Sequence, residues 1–394
     1  MAVTNVQKYR WAGILLGVIF LIWISLGFNL LGVWAGPAMS VSVSESGRYI
    51  VSAHRDNKLI LWDLNKRHWK TLSKHANLYS AKFVPSQNAF LWQDTDNIVT
   101  VQTADDEVLQ QFQHFPTYGH VISSDLETYL SVDKHWNVFS GYGDTQHPIL
   151  NDGISPSFIG SGKLLNLSVD RNNTFFVTAG FGNDPSAIAD YSPLDSSQRF
   201  SNYGGVTLWD AATEKPIAKL RGNSAKTHAT ISPDGQWVVS ADENGIGSFW
   251  NTDQPETRHR LAGYYSGVFI DDAPFPTGDS RNWDESELIK APTGLNTFTI
   301  AVAFIHNSEY YLRFGNNSHF AALFKTGTPW PVKYFDLGES PKLVTYGSNY
   351  ARNTAIATSP EAGILAMGHQ SSGGISIYQF DPENLTLERV WVVE

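Results

Sequence analysis

Three histidines stand where the chain turns back on itself: His54, His135 and His369. If such turns shared one face of a ring they could converge, and imidazole is a common metal ligand. No two of the twelve histidines, however, sit at ligand spacing on one element, so separate solvated turn residues is the simpler reading. Asp56, Asp96 and Asp242 also fall in turns. A turn aspartate accepts backbone amides and closes the hairpin, and that role is preferred here to catalysis. Carboxylates gather in two further stretches: Asp184, Asp190 and Asp195 in 181–203, and Asp271, Asp272, Asp279, Asp284, Glu285 and Glu287 in 254–298. Oxygen-rich loops bind Ca²⁺, but NDPSAIADYSPLD lacks the alternate-residue spacing of a compact loop site, so solvated acidic loops are expected. There is no phosphate-binding glycine loop, no nucleophile elbow, no HExxH and no EF-hand loop. No catalytic residue, metal or cofactor is therefore expected, and the chain reads as a non-enzyme.

Aromatic residues offer a different kind of chemistry. Tyr191, Phe200 and Tyr203 lie in the first of those stretches, Tyr264, Tyr265, Phe275 and Trp283 in the second, and Trp330 stands between two prolines. Aromatics in Gly- and Pro-rich loops have the composition of a protein-contact surface. The alternative is that each loop packs its aromatics on its own scaffold. Tyr191, Phe200, Tyr203, Tyr264, Tyr265, Trp283 and Trp330 are the candidate partner-binding residues.

The elements that would position them begin with SESGRYIVSAHRDNKLILWDL (44–64). Two runs of branched and aromatic residues separated by a charged turn read as an antiparallel hairpin. The rhythm recurs about every 40 residues: at Asp96-Asn97, at 131–141, at 168–180 completed by 204–220, at 231–253, at 303–327 and at 358–381, with a last strand at 388–393. Seven units, each long enough for four short strands, give an all-β chain.

The Ser-Pro-Asp-Gly turn at 232–235, the Trp-Asp pairs Trp62-Asp63 and Trp209-Asp210, and Trp250 placed 41 residues after Trp209 resemble the WD40 repeats of a β-propeller. The resemblance covers most of 38–394 and implies a seven-bladed WD40-like β-propeller. It assigns Asp56, Asp96 and Asp242 the hairpin-closing role, and Trp62, Asp63, Trp209, Asp210 and Trp250 the structural positions of the repeat. The family's Gly-His dipeptide is nearly absent: His75 stands at about the right distance from Phe83 but follows Lys74. Gln102 replaces the tryptophan of unit 2, and the family's His–Ser–Asp–Trp network is expected complete in no unit. YYSGVFI (264–270) is the alternative source of an eighth blade. The stretches 181–203, inside unit 4, and 254–298, between units 5 and 6, read as loop insertions.

Ahead of the repeats, residues 11–35 carry no charge over a length that crosses a bilayer, with Trp11 and Trp34 near the two ends. This reads as a transmembrane helix, a cleaved signal peptide being the shorter-cored alternative. Lys8 and Arg10 precede it, which places residues 1–10 in the cytoplasm and the repeats outside. The chain of 394 residues has no cysteine and a net charge of −10, which exclude disulfides, thiol chemistry and a basic nucleic-acid surface. A single-pass protein of a bacterial inner membrane, with its propeller in the periplasm, fits best. The function that follows is a protein-binding scaffold or accessory subunit docking other membrane or envelope proteins. The alternative is an enzyme or small-ligand binder using the central channel, as in quinoprotein-like propellers.

Overall fold

The computed structural model describes residues 35–78, 81–117, 119–133, 137–150, 166–180, 206–220, 227–242, 247–261, 299–315, 320–338, 355–369 and 373–393. They form seven antiparallel sheets of four strands, each sheet built from four consecutive strands in chain order. The blades span 38–73, 82–113, 119–150, 166–220, 227–261, 299–336 and 356–393. First strands of neighbouring blades lie against each other and so line the axis. The fourth strands are the outermost: His68–Ser73 has only exposed and half-buried residues, while Tyr49–His54 and Leu59–Asp63 of the same blade are buried throughout.

The core is divided by seam. Seven hydrophobic clusters occur among the described residues, and each joins one blade to its neighbour around the ring. A sheet with one buried face needs a partner for that face; here both faces of every blade are covered by the blades on either side. The last seam closes blade 7 on blade 1. Ile50, Ile60 and Trp62 meet Ile364, Ala366 and Ile377 there. No strand is shared across this seam. The Ser359 hydroxyl donates to the Glu45 carbonyl at 2.7 Å, and Gly47, at φ +69°, makes the close approach possible. A Cβ at Gly47 would stand 2.5 Å from that of Ala362.

Two sequence expectations shift. The stretch 254–298 does not begin as an insertion, because His259–Leu261 is the fourth strand of blade 5. The eighth-blade alternative at 264–270 lies outside the described residues, and the described residues form seven blades. Among the described residues no helix is long and apolar enough to cross a membrane; residues 11–34 lie outside them.

Candidate functional site

The propeller presents two faces of different construction. The turn face carries the links between first and second and between third and fourth strands, and no link on it exceeds seven residues. The link face carries the second-to-third hairpins and the connections between blades. From its strand ends depart 151–165, 181–205, 262–298 and 339–354, and Ala35–Pro37 enters blade 1 there. Both sequence-assigned insertions therefore leave from one face.

Tyr191, Phe200, Tyr203, Tyr264, Tyr265 and Trp283 lie outside the described residues. Trp330 lies on the face opposite the strand ends from which 181–205 and 262–298 depart. It is half-buried in the link between the third and fourth strands of blade 6, on the turn face.

His54 and His369 are not solvated turn residues. His54 is fully buried; its Nε2 lies 2.7 Å from the Ser52 hydroxyl and its Nδ1 2.8 Å from the Gly36 carbonyl. Trp62 Nε1 donates to the same Ser52 oxygen at 2.8 Å. Burial lowers the His54 pKa to about 4, so the ring is neutral and pins Gly36 to the link face. Blade 1 thus holds a three-member His–Ser–Trp network, without the aspartate of the family's four-member one. His369 pairs with Ser376 at 2.8 Å, and His135 lies outside the described residues. Among the described residues no three His, Asp or Glu side chains gather as a metal site.

The same device recurs with substitutions, as the sheet registers show. The Trp62 position is held by Trp209 and Trp250, each almost fully buried. Trp209 Nε1 donates to the Thr178 hydroxyl at 2.9 Å. Blade 2 inverts the pair: Trp92 stands at the Ser52 position and donates to the Gln102 amide oxygen at 3.0 Å. In blade 3 the buried His114, at the end of blade 2, reaches Ser131 at 2.9 Å. His75, the sequence candidate for this kind of role, is exposed. Arg313 takes the Ser52 position in blade 6 and is fully buried. Gly247 makes room for it, since a Cβ there would stand 3.1 Å from its Nη1.

The turn aspartates divide. Asp56 is exposed and pairs with Lys58 at 2.6 Å. In blade 2 the hairpin is closed not by Asp96 but by Asp94, which accepts the Asp96 and Ile98 amides at 2.9 and 2.8 Å. Asp133 does the same for Asn137 in blade 3. Asp242 occupies the position of Asp94 and is fully buried. Asp63 and Asp210 close turns on the other face: Asp63 accepts the Lys66 amide at 3.2 Å and Arg48 at 3.1 Å, and Asp210 accepts the Thr213 amide at 2.7 Å.

Inside the ring, first strands from six blades line a cavity of about 310 Å³. At its turn-face end Arg171 of blade 4 reaches across to Glu45 of blade 1 and Glu361 of blade 7. Lys82 lines the same cavity. Neither Arg171 nor Lys82 was singled out from sequence. A charged residue at an innermost-strand position is the signal that marks Lys82, but it depends on knowing the register. A groove of about 830 Å³ lies on the turn face between blades 1, 2 and 7, sharing Glu45 and Glu361 with the cavity and lined also by Ser46, Arg48, Asn65 and Gln87.

Comparison with known proteins agrees with this geometry. The family model for the WD domain, G-beta repeat, matches residues 29–63 and 214–251. The second match begins at the outermost strand of blade 4 and ends on the third strand of blade 5, so the repeat in sequence is offset by one strand from the blade in space. No curated protein matches the chain. Among solved structures, the β-propeller domain of Cps50 (Swd1) from Myceliophteria thermophila is similar with a TM-score of 0.59 at 12% identity, covering 89% of this chain and 99% of that one. At that identity the likeness speaks to fold. With two matched repeats and seven four-stranded sheets around an axis, the chain is a seven-bladed, WD40-like β-propeller.

Proposed function

We propose that this propeller is a membrane-tethered scaffold that holds another membrane or envelope protein on its link face. The observation that carries this reading is the one-sided distribution of long connections. All connections on the turn face are short, whereas 151–165, 181–205, 262–298 and 339–354 leave from the link face together. Loops borne on a rigid scaffold are where binding residues concentrate. The aromatic residues of 181–205 and 262–298 supply anchor side chains of the kind that dominate protein interfaces.

The tether is the charge-free run 11–35, oriented by Lys8 and Arg10 with its N-terminus in the cytoplasm. Gly36 and Pro37 alone separate it from Ala38, and both are bound: the His54 ring to the Gly36 carbonyl, and the Arg55 amide to the Pro37 carbonyl at 2.9 Å. A span at 11–35 therefore holds the link face toward the bilayer. The location that follows is the outer side of a bacterial inner membrane. A small-ligand role for the ring is the second reading, favoured by the axial cavity.

Replacing Tyr191, Tyr203 and Trp283 together with Ala tests the interface. The expected outcome is loss of partner capture from crosslinked, gently solubilised cells with the melting temperature nearly unchanged. A collapse in melting temperature would show these residues to be packing and refute the assignment.

A further inference from the structure

The first strands of the seven blades can be aligned by register. One position, defined by pairing with Val51 in blade 1, is Ser42, Lys82, Val121, Ser168, Thr230, Ala303 and Ala357 in turn. Six of the seven are small or carry a hydroxyl or a branched side chain, and blade 2 alone contributes a long cation. Where the residue is serine it ties neighbouring blades: Ser42 accepts the Phe83 amide of the next blade at 2.9 Å, and Ser168 accepts the Ile231 amide at 3.2 Å. Lys82 has no acceptor atom, so it cannot serve that purpose.

What Lys82 does instead follows from its surroundings. Its side chain is open to the lumen, yet protein surrounds the lumen and the resulting desolvation lowers its pKa. Among the described residues it makes no hydrogen bond or ion pair. The carboxylates that line the same cavity, Glu45 and Glu361, are drawn to Arg171 at the turn-face end. Ser42, adjacent across the seam, uses its oxygen as acceptor and keeps its hydroxyl proton available. An enclosed ammonium and an available hydroxyl on the adjacent first strand, both lining one cavity at a layer of otherwise small side chains, form a donor set lacking its acceptor.

We propose that the lumen binds a small oxyanion, phosphate or carboxylate in class, through the Lys82 ammonium with Ser42 as second donor. The small side chains of the layer leave the space that the anion fills. Its site is separate from the link-face scaffold role and stands or falls independently of it.

The test uses the full-length protein in detergent, with inorganic phosphate as probe and acetate as the carboxylate comparison, each against chloride at equal ionic strength. Lys82→Ser restores the hydroxyl that neighbouring blades use, and Lys82→Arg keeps the charge. The expected result is phosphate- or acetate-specific thermal stabilisation of wild type and Lys82→Arg, with binding at least about tenfold weaker in Lys82→Ser. Whichever anion stabilises more identifies the class. Equal responses in wild type and Lys82→Ser, or none in wild type, would overturn the proposal. Should Lys82→Ser fail to fold, the Lys82 Nζ resonance of wild type decides: its pKa must rise when the anion is added, and a fixed value contradicts the site.

Discussion

Neutral imidazoles hold two of the blades. His54 and His114 are both buried, and burial depresses each pKa from the usual 6.5 to about 4. Their Nε2 atoms meet serine hydroxyls on strands that are themselves buried. As pH falls from 6.5, the unfolded chain protonates these histidines before the folded one does. Their contribution to stability is therefore complete above 6.5 and is lost progressively as pH falls to about 4. The urea midpoint should drop between pH 7 and 4.5, and His114→Gln, which keeps an amide donor for Ser131, should flatten the decline. An unchanged slope in that variant would contradict the role given to His114. His147 runs the other way: hydrogen bonding to Glu214 raises its pKa, so what it adds is present at low pH and lost as pH rises through the raised value. Its exposure makes that term small.

At the scale of elements, ring closure rests on side chains. Trp391 on the outermost strand of blade 7 packs against Trp62 and Trp69 of blade 1, with ring centroids 6.2 and 6.5 Å apart, and those two lie 5.6 Å from each other. Because no strand crosses this seam, Trp391→Ala should cost about 2–3 kcal/mol and open the ring here first. Hydrogen exchange would show lost protection in Ala38–Val43 and Ile375–Asp381 ahead of other blades; an even loss around the ring would contradict the seam's importance. The blades themselves were legible in the sequence wherever a tryptophan closing a strand and a small polar turn mark a unit, as at Trp62-Asp63, Trp209-Asp210 and Trp250. Blade 2 was less so, because its tryptophan has moved across the hairpin to Trp92 and left Gln102 in its place. His114 carries no sequence signal because no glycine precedes it, and His54 reads as a solvated turn residue because its burial depends on Gly36, eighteen residues away. Arg171 meeting Glu45 and Glu361 is a contact across the ring, which local periodicity cannot reveal.

The whole molecule is asymmetric along its axis. One face is trimmed to short turns, several closed by Asp63, Asp210 or Asp381 accepting amides from the residues that follow. The other receives the N-terminal segment and launches every long connection. A scaffold tethered at residues 11–35 would use that face, and its partner would be found beside it. The absence of cysteine makes the decisive measurement direct, because any introduced thiol is the sole thiol in the chain. Asp96 is exposed on a link-face hairpin of blade 2 and Glu127 is exposed on a turn-face link of blade 3. Asp96→Cys and Glu127→Cys should be crosslinked in intact cells with a thiol-directed photoreactive probe, and the products identified by mass spectrometry. The account predicts a stoichiometric membrane or envelope protein captured from position 96 and not from position 127. Capture from position 127 alone, or from neither, would contradict it.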